Sequence, residues 1–334
     1  MDHPKPVLTC QVPPSIAWNS LVRRSIDAWD PARKAAMPNV EKFLLHWREL
    51  DEFLGTEPSM PMFWFFQRRE AFLSQRTMAK WDRARLDDYV LLPAMPGFVT
   101  RDECFFVSHF WRSHDDPDPG GEYLRLHQRE LAPQSWSHIW VDWSCMPQHP
   151  RSGSEETYFQ RGLAVMPAII RNCKFAWFYP PWEPRMWILF EVAESFLTSD
   201  CWPAVTEDMV PFTDHVGEML RDGVRPVLTR HGYRTSFGRD EEHLTSWLEL
   251  VVLLKRVGLD TECVRQLMDQ VTWQSNAEEI SMITARRMLK FCRWEGTLVL
   301  DRDVHTFKPF PRWEDGKYSA YKPRSTEGSD VTSS

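Results

Sequence analysis

Apolar positions follow three regimes along the chain. Up to about residue 100 they recur three and four apart, the spacing of one helix face. An amphipathic stretch over 15–29 stops at Asp30-Pro31. Behind Pro38-Asn39, the positions Val40, Phe43, Leu44, Trp47, Leu50 and Leu54 keep the helical period until Gly55. Phe63, Phe66, Phe72 and Trp81 predict a further helix over about 61–86.

From Glu103 the pattern becomes short apolar runs alternating with amphipathic stretches. Strands are predicted over 104–110, 138–142 and 174–179, and helices over 123–131, 156–171 and 184–196. Strand and helix alternating at this spacing indicate βαβ units and a parallel sheet. Beyond about 205 the helical period returns, with helices predicted over 241–257, 261–273 and 277–293 and a hairpin over 296–307. The small polar residues of 325–334 are expected to be disordered. The expected organisation is a helical region (1–100), an α/β domain (101–212), a mainly helical region (213–324) and a tail. The fold class is α/β, a flavodoxin-like parallel sheet with helical layers and helical flanks.

Composition narrows the function classes. The 17 Trp and 20 Phe sit mostly at helical spacing and are read as core. A net charge of −7 argues against general nucleic-acid binding. No apolar run approaches the roughly 20 residues of a spanning helix, and residues 1–10 hold no apolar signal core, so no membrane association and a cytoplasmic location are expected. The 7 cysteines are scattered without CxxC pairs, so they are expected to be reduced, and no metal site is expected.

Candidate chemistry lies where apolar runs end. The run 139–141 delivers Asp142 to the carboxyl edge of the sheet, where open α/β sheets bind ligands. Asp142 either accepts a ligand hydroxyl or caps its own turn. Gln148 either holds that loop or meets a ligand, and Cys145 is read as a packed thiol rather than a nucleophile. Ser108 and His109 end the preceding run. The acidic, turn-rich segment 114–121 is read as a rigid rim, since it lacks calcium-loop spacing. Trp187, Glu191 and Glu194 share one helix face, with Ile188, Val192 and Phe196 as the adjoining apolar stripe. Glu191 is thereby set at the edge of the core, or paired as a solvated glutamate with Arg185.

These motifs together resemble the Toll/interleukin-receptor (TIR) superfamily and, within it, the fungal heterokaryon-incompatibility (HET) domain. Asp142-Trp143-Ser144-Cys145-Met146-Pro147-Gln148 matches the signature of aspartate, two residues, cysteine, an aliphatic residue, one residue and glutamine. Phe106-Val107-Ser108-His109-Phe110-Trp111 is similar to the family's first strand, with His109 in place of the usual aromatic. Trp187 and Glu191 are similar to its Trp-Cys-x-x-Glu helix, with Ile188 in place of the cysteine. The resemblance covers about residues 100–200.

What the resemblance implies is cleavage or transfer of an N-glycosidic bond of NAD or a related nucleotide. Glu191 would be the catalytic carboxylate, stabilising an oxocarbenium-like ribose. NAD enters as substrate, with no resident cofactor and no metal. Substrate-binding residues are then Ser108, His109, Trp111, Asp142, Trp143, Gln148, Arg185 and Trp187, with the indoles as stacking faces. Two alternatives stand beside this reading. One is a non-enzymatic signalling or incompatibility module that self-associates. The other is a biosynthetic transferase using a nucleotide- or tRNA-activated substrate, with Arg221, Arg225, Arg230 and Arg234 as phosphate contacts.

Overall fold

The computed structural model describes residues 14–57, 60–113, 115–200, 204–235, 238–284, 287–314 and 317–319. The expected tail over 325–334, and His114, lie outside the described residues. The chain divides into two compact units, Met1–Phe178 and Tyr179–Ser334.

The first unit opens with four helices, α1 (Pro14–Ala28), α2 (Pro31–Ala36), α3 (Val40–Leu44) and α4 (Leu50–Leu54). The single helix expected from Val40 to Leu54 is thus two short ones. Its first segment ends at Leu45, and Glu49 re-enters helix from an extended conformation. Then come β1 (Phe63–Arg68), α5 (Arg69–Leu73), a 3-10 turn (Arg83–Asp88) and β2 (Tyr89–Pro93). The helix expected over 61–86 is therefore overturned. Phe63-Trp64-Phe65-Phe66 is buried at every position, and a strand buried on both faces shows no alternation to separate it from a helix.

The remaining elements are β3 (Cys104–His109), α6 (Glu122–Leu131), β4 (His138–Val141), the helical turn α7 (Asp142–Cys145), α8 (Gly153–Asn172) and β5 (Lys174–Phe178). Sheet order is β2-β1-β4-β3-β5. β3 pairs in parallel with β4 and β5, as βαβ units require. β1 joins β4 antiparallel through only Gln67↔Ile139 and Arg68↔His138, and β2 is antiparallel to β1. The sheet is accordingly mixed, not wholly parallel, because an antiparallel pair of strands from before residue 100 extends its edge.

Successive side chains on β3 leave opposite faces. Phe105 and Val107 join Tyr123, Leu124 and Leu131 of α6 with Trp136, Ile139 and Val141 in one core cluster. Phe106 faces the other way and stacks between Trp140 and Phe175, at 5.2 and 5.7 Å. A capping box, Ser152 with Glu155, opens α8. Tyr158 then anchors that helix to β1, its hydroxyl donating to Phe63 O and accepting from Phe65 N. Trp18, Trp29, Trp47, Trp64, Trp136 and Trp140 are all buried, in keeping with their reading as core.

The second unit contains α9 (Met186–Leu197), α10 (Val210–Asp222), α11 (Val224–His231), α12 (Gly238–Arg256) and α13 (Thr261–Trp273). An antiparallel sheet follows, ordered β6 (Glu279–Thr284), β7 (Arg287–Cys292), β8 (Thr297–Leu300) and β9 (Asp303–Thr306). β10 (Arg312–Glu314) and β11 (Lys317–Ser319) form a separate pair. The helix expected over 277–293 is overturned: these residues are β6 and β7, paired from Glu279↔Cys292 to Thr284↔Arg287. Among the described residues no helix is long and apolar enough to cross a membrane.

Candidate functional site

The carboxyl ends of β3 and β4 bring four of the expected residues together around one carboxylate. Asp142 follows β4 directly. Its Oδ1 accepts the Trp143 backbone N–H at 2.6 Å, and its Oδ2 accepts the Trp111 indole N–H at 2.7 Å. His109 Nε2 lies 3.5 Å from Oδ1, too long for a well-formed hydrogen bond. Both ring nitrogens of His109 are buried without a hydrogen-bond partner among the described residues. The Asp142 side chain is nevertheless 40% exposed, so a fixed carboxylate presents one edge to solvent. It accepts the first amide of its own turn and leaves part of the carboxylate exposed.

Aromatic rings frame this carboxylate. Trp111 meets Trp143 edge to face at 5.2 Å, and His109 stacks on Tyr123 of α6 at 5.4 Å. Two cations sit over the rings: Lys80 Nζ is 5.3 Å from the Trp143 centroid, and the Arg112 guanidinium 4.7 Å from that of Tyr123. Lys80 also donates to His149 O, and Arg112 pairs with Glu122 at 2.6 Å. Neither Lys80 nor Arg112 stands out in the sequence pattern. His127, deeper on α6, is fully buried, and burial with His109 nearby lowers its pKa to about 3.

Gln148 holds the loop, its Nε2 donating to Asp142 O at 2.8 Å and Met146 O at 3.0 Å. Cys145 is buried, and desolvation pushes its thiol up to about 12, the opposite of an activated nucleophile. Ser108 is buried on the other face of β3 from His109, so alternation parts these two neighbours. In the loop before α6, Asp118 is buried and caps that helix, accepting from Tyr123 N at 3.1 Å and Leu124 N at 2.9 Å. That carboxylate is spent on backbone amides.

Arg185, Trp187 and Glu191 belong to the second unit. Arg185 precedes α9, is exposed, and pairs with Glu183 at 2.9 Å. Trp187 donates its indole N–H to Asp240 at 3.1 Å. Along α9, Trp187 and Glu191 are partly buried, while Met186 and every residue from Val192 to Leu197 are buried. Glu194, expected to share their face, is instead fully buried and accepts the Trp247 indole N–H at 2.7 Å. Arg225 and Arg230, read as phosphate contacts in one alternative, are ion-paired with Glu249 and with Glu218 and Asp222.

No family model matches the sequence, and no curated protein or solved structure matches it.

Proposed function

We propose that the carboxyl end of β3 and β4 binds a nucleotide-type ligand, and that the protein is a TIR/HET-like enzyme cleaving or transferring an N-glycosidic bond of NAD or a related nucleotide. The observation that carries the binding half is the Asp142 carboxylate. It is oriented by the Trp111 indole and the Trp143 amide and still partly open to solvent. A carboxylate held in this way accepts the vicinal hydroxyls of a ribose at little further ordering cost. Trp111 supplies a partly exposed indole for a base, and Lys80 and Arg112 supply positive charge for phosphates. The His109 imidazole, its side chain only 1% exposed, backs the Asp142 carboxylate from within the core rather than meeting the ligand. The position at the carboxyl edge of parallel strands agrees with where open α/β sheets take ligands.

The reaction half rests on the family resemblance, which assigns the carboxylate to Glu191. In that family the helix carboxylate stabilises the cation left as nicotinamide departs, without a metal.

The two halves are tested separately. Incubation of the full chain with NAD, read by chromatography for nicotinamide, should show turnover that Glu191→Gln abolishes. Calorimetric titration with NAD should show binding that Asp142→Ala weakens at least tenfold while Glu191→Gln retains it. Absence of nicotinamide release at any protein concentration would sink the enzymatic half. Equal NAD affinity in wild type and Asp142→Ala would sink the binding half.

A further inference from the structure

The second unit carries a cluster outside this site. His215 and Glu218 lie three residues apart on one face of α10. His231 ends α11, which follows α10 through Gly223 at φ 93°. One donor atom from each of His215, Glu218 and His231 lies within 4.8 Å of the other two. The His231 Nε2 and a Glu218 carboxylate oxygen are 2.9 Å apart, and the two imidazole rings face each other at 3.5 Å.

We propose that His215, Glu218 and His231 form a divalent transition-metal site, taking zinc through two imidazole nitrogens and one carboxylate oxygen. The reading is independent of the function proposed above, and it departs from the expectation of no metal, which rested on cysteine spacing, on the lack of calcium-loop spacing over 114–121 and on the family resemblance. Two imidazoles and a carboxylate are a zinc-type donor set that leaves a fourth position for water. A tetrahedral zinc with bonds of about 2.0–2.1 Å holds its ligand atoms roughly 3.3–3.4 Å apart. The Glu218–His231 pair, hydrogen-bonded at 2.9 Å, has only to open by a few tenths of an ångström to reach that spacing. The stacked rings need one of them to turn about its Cβ–Cγ bond, and His231, 23% exposed, has the freedom to do so.

The surroundings support the assignment. The Tyr233 hydroxyl lies 2.8 Å from His215 Nδ1, which fixes that ring and leaves its Nε2 for an ion. Outer partners of this kind orient metal-binding histidines. Arg230 binds Glu218 at 2.7 Å and Asp222 at 2.9 Å, so it keeps a carboxylate when Glu218 turns to the ion. His215 is buried, while Glu218 is 22% exposed, giving a site seated in protein with an open side.

The test is equilibrium dialysis of the full chain against Zn²⁺, with bound zinc counted by mass spectrometry. One ion per chain is expected. Glu218→Gln and His231→Asn should each weaken binding at least a hundredfold, with circular dichroism unchanged. Tyr233→Phe, removing only the orienting hydroxyl, should weaken it about 10–100-fold. X-ray absorption of the zinc-loaded wild type should give a shell of nitrogen and oxygen with two imidazoles, a readout that does not depend on any variant folding. A sulfur-containing shell, no zinc bound, or unchanged affinity in both ligand variants would overturn the proposal.

Discussion

Lowering the pH from 7.5 to 5.0 should cost the protein about 2 kcal/mol through His127 alone. This ring lies on α6, is 1% exposed, and its Nε2 has no hydrogen-bond partner among the described residues. Burial strips hydration from the imidazolium, and nearby His109 adds to the effect, so the pKa falls to about 3 from 6.5. The folded state therefore favours the neutral ring. Its contribution is fully present above pH 6.5 and is lost as the pH falls from there toward 3. Each pH unit in that window costs about 1.4 kcal/mol, so the drop from 6.5 to 5.0 removes roughly 2 kcal/mol. His127→Phe keeps an aromatic ring in the core and abolishes the titration. Urea unfolding of both proteins at the two pH values isolates the effect, because any packing cost of Phe cancels between them. The variant should lose about 2 kcal/mol less than wild type on acidification. Equal losses in the two proteins would refute the assignment of a buried, neutral His127.

Three further outcomes are expected. Asp118→Ala leaves the Tyr123 and Leu124 amides at the start of α6 without their acceptor, and thermal unfolding should register a loss of about 1–2 kcal/mol. Trp247→Phe removes the indole donor to buried Glu194 and should destabilise by about 1–3 kcal/mol in chemical denaturation, whereas Trp247→Tyr gives no rescue unless its hydroxyl reaches the carboxylate. Gln148→Ala cuts two side-chain bonds that close the Asp142 loop, so amide hydrogen exchange at Trp143 and Ser144 should quicken while β3 stays protected.

The central parallel strands were legible because each is a short apolar run between turn residues, and α13 because Cys263, Val264, Leu267, Met268 and Val271 keep a clean helical period. β1 was not, since aromatic residues buried on both faces satisfy either period. β6 and β7 failed for the opposite reason. Their outward residues Ile283 and Met288 are 76% and 62% exposed, so apolarity there does not mark the buried side. In the site, the run into Asp142 marked the carboxyl end of β4, Trp143 follows it directly, and Trp111 came from the end of the preceding run, 31 residues earlier. Lys80 and Arg112 were missed because a cation over a ring leaves no periodic trace. The burial of Glu194 was hidden as well: spacing puts it on a face with Glu191, but only tertiary contact with Trp247 decides which carboxylate goes inside. The His215–Glu218 spacing was present in the sequence, yet its third member arrives from another helix.

The pairing of β1 to β4 through two residues on each strand has a bearing on how the chain is made. Strand β1 leaves the ribosome well before its neighbour. At about 5–20 residues per second, the stretch from Arg68 to His138 takes on the order of 4–14 s to synthesise. During that interval the positions of β1 that will meet β4, Gln67 and Arg68, hold free backbone groups beside the aromatic run Phe63–Phe66, the kind of surface that seeds association between nascent chains. The shortness of the eventual pairing limits the edge to be sealed, and Pro93 closes the β2 strand behind it. Birth order, as much as final stability, is thus written into the antiparallel extension of this sheet.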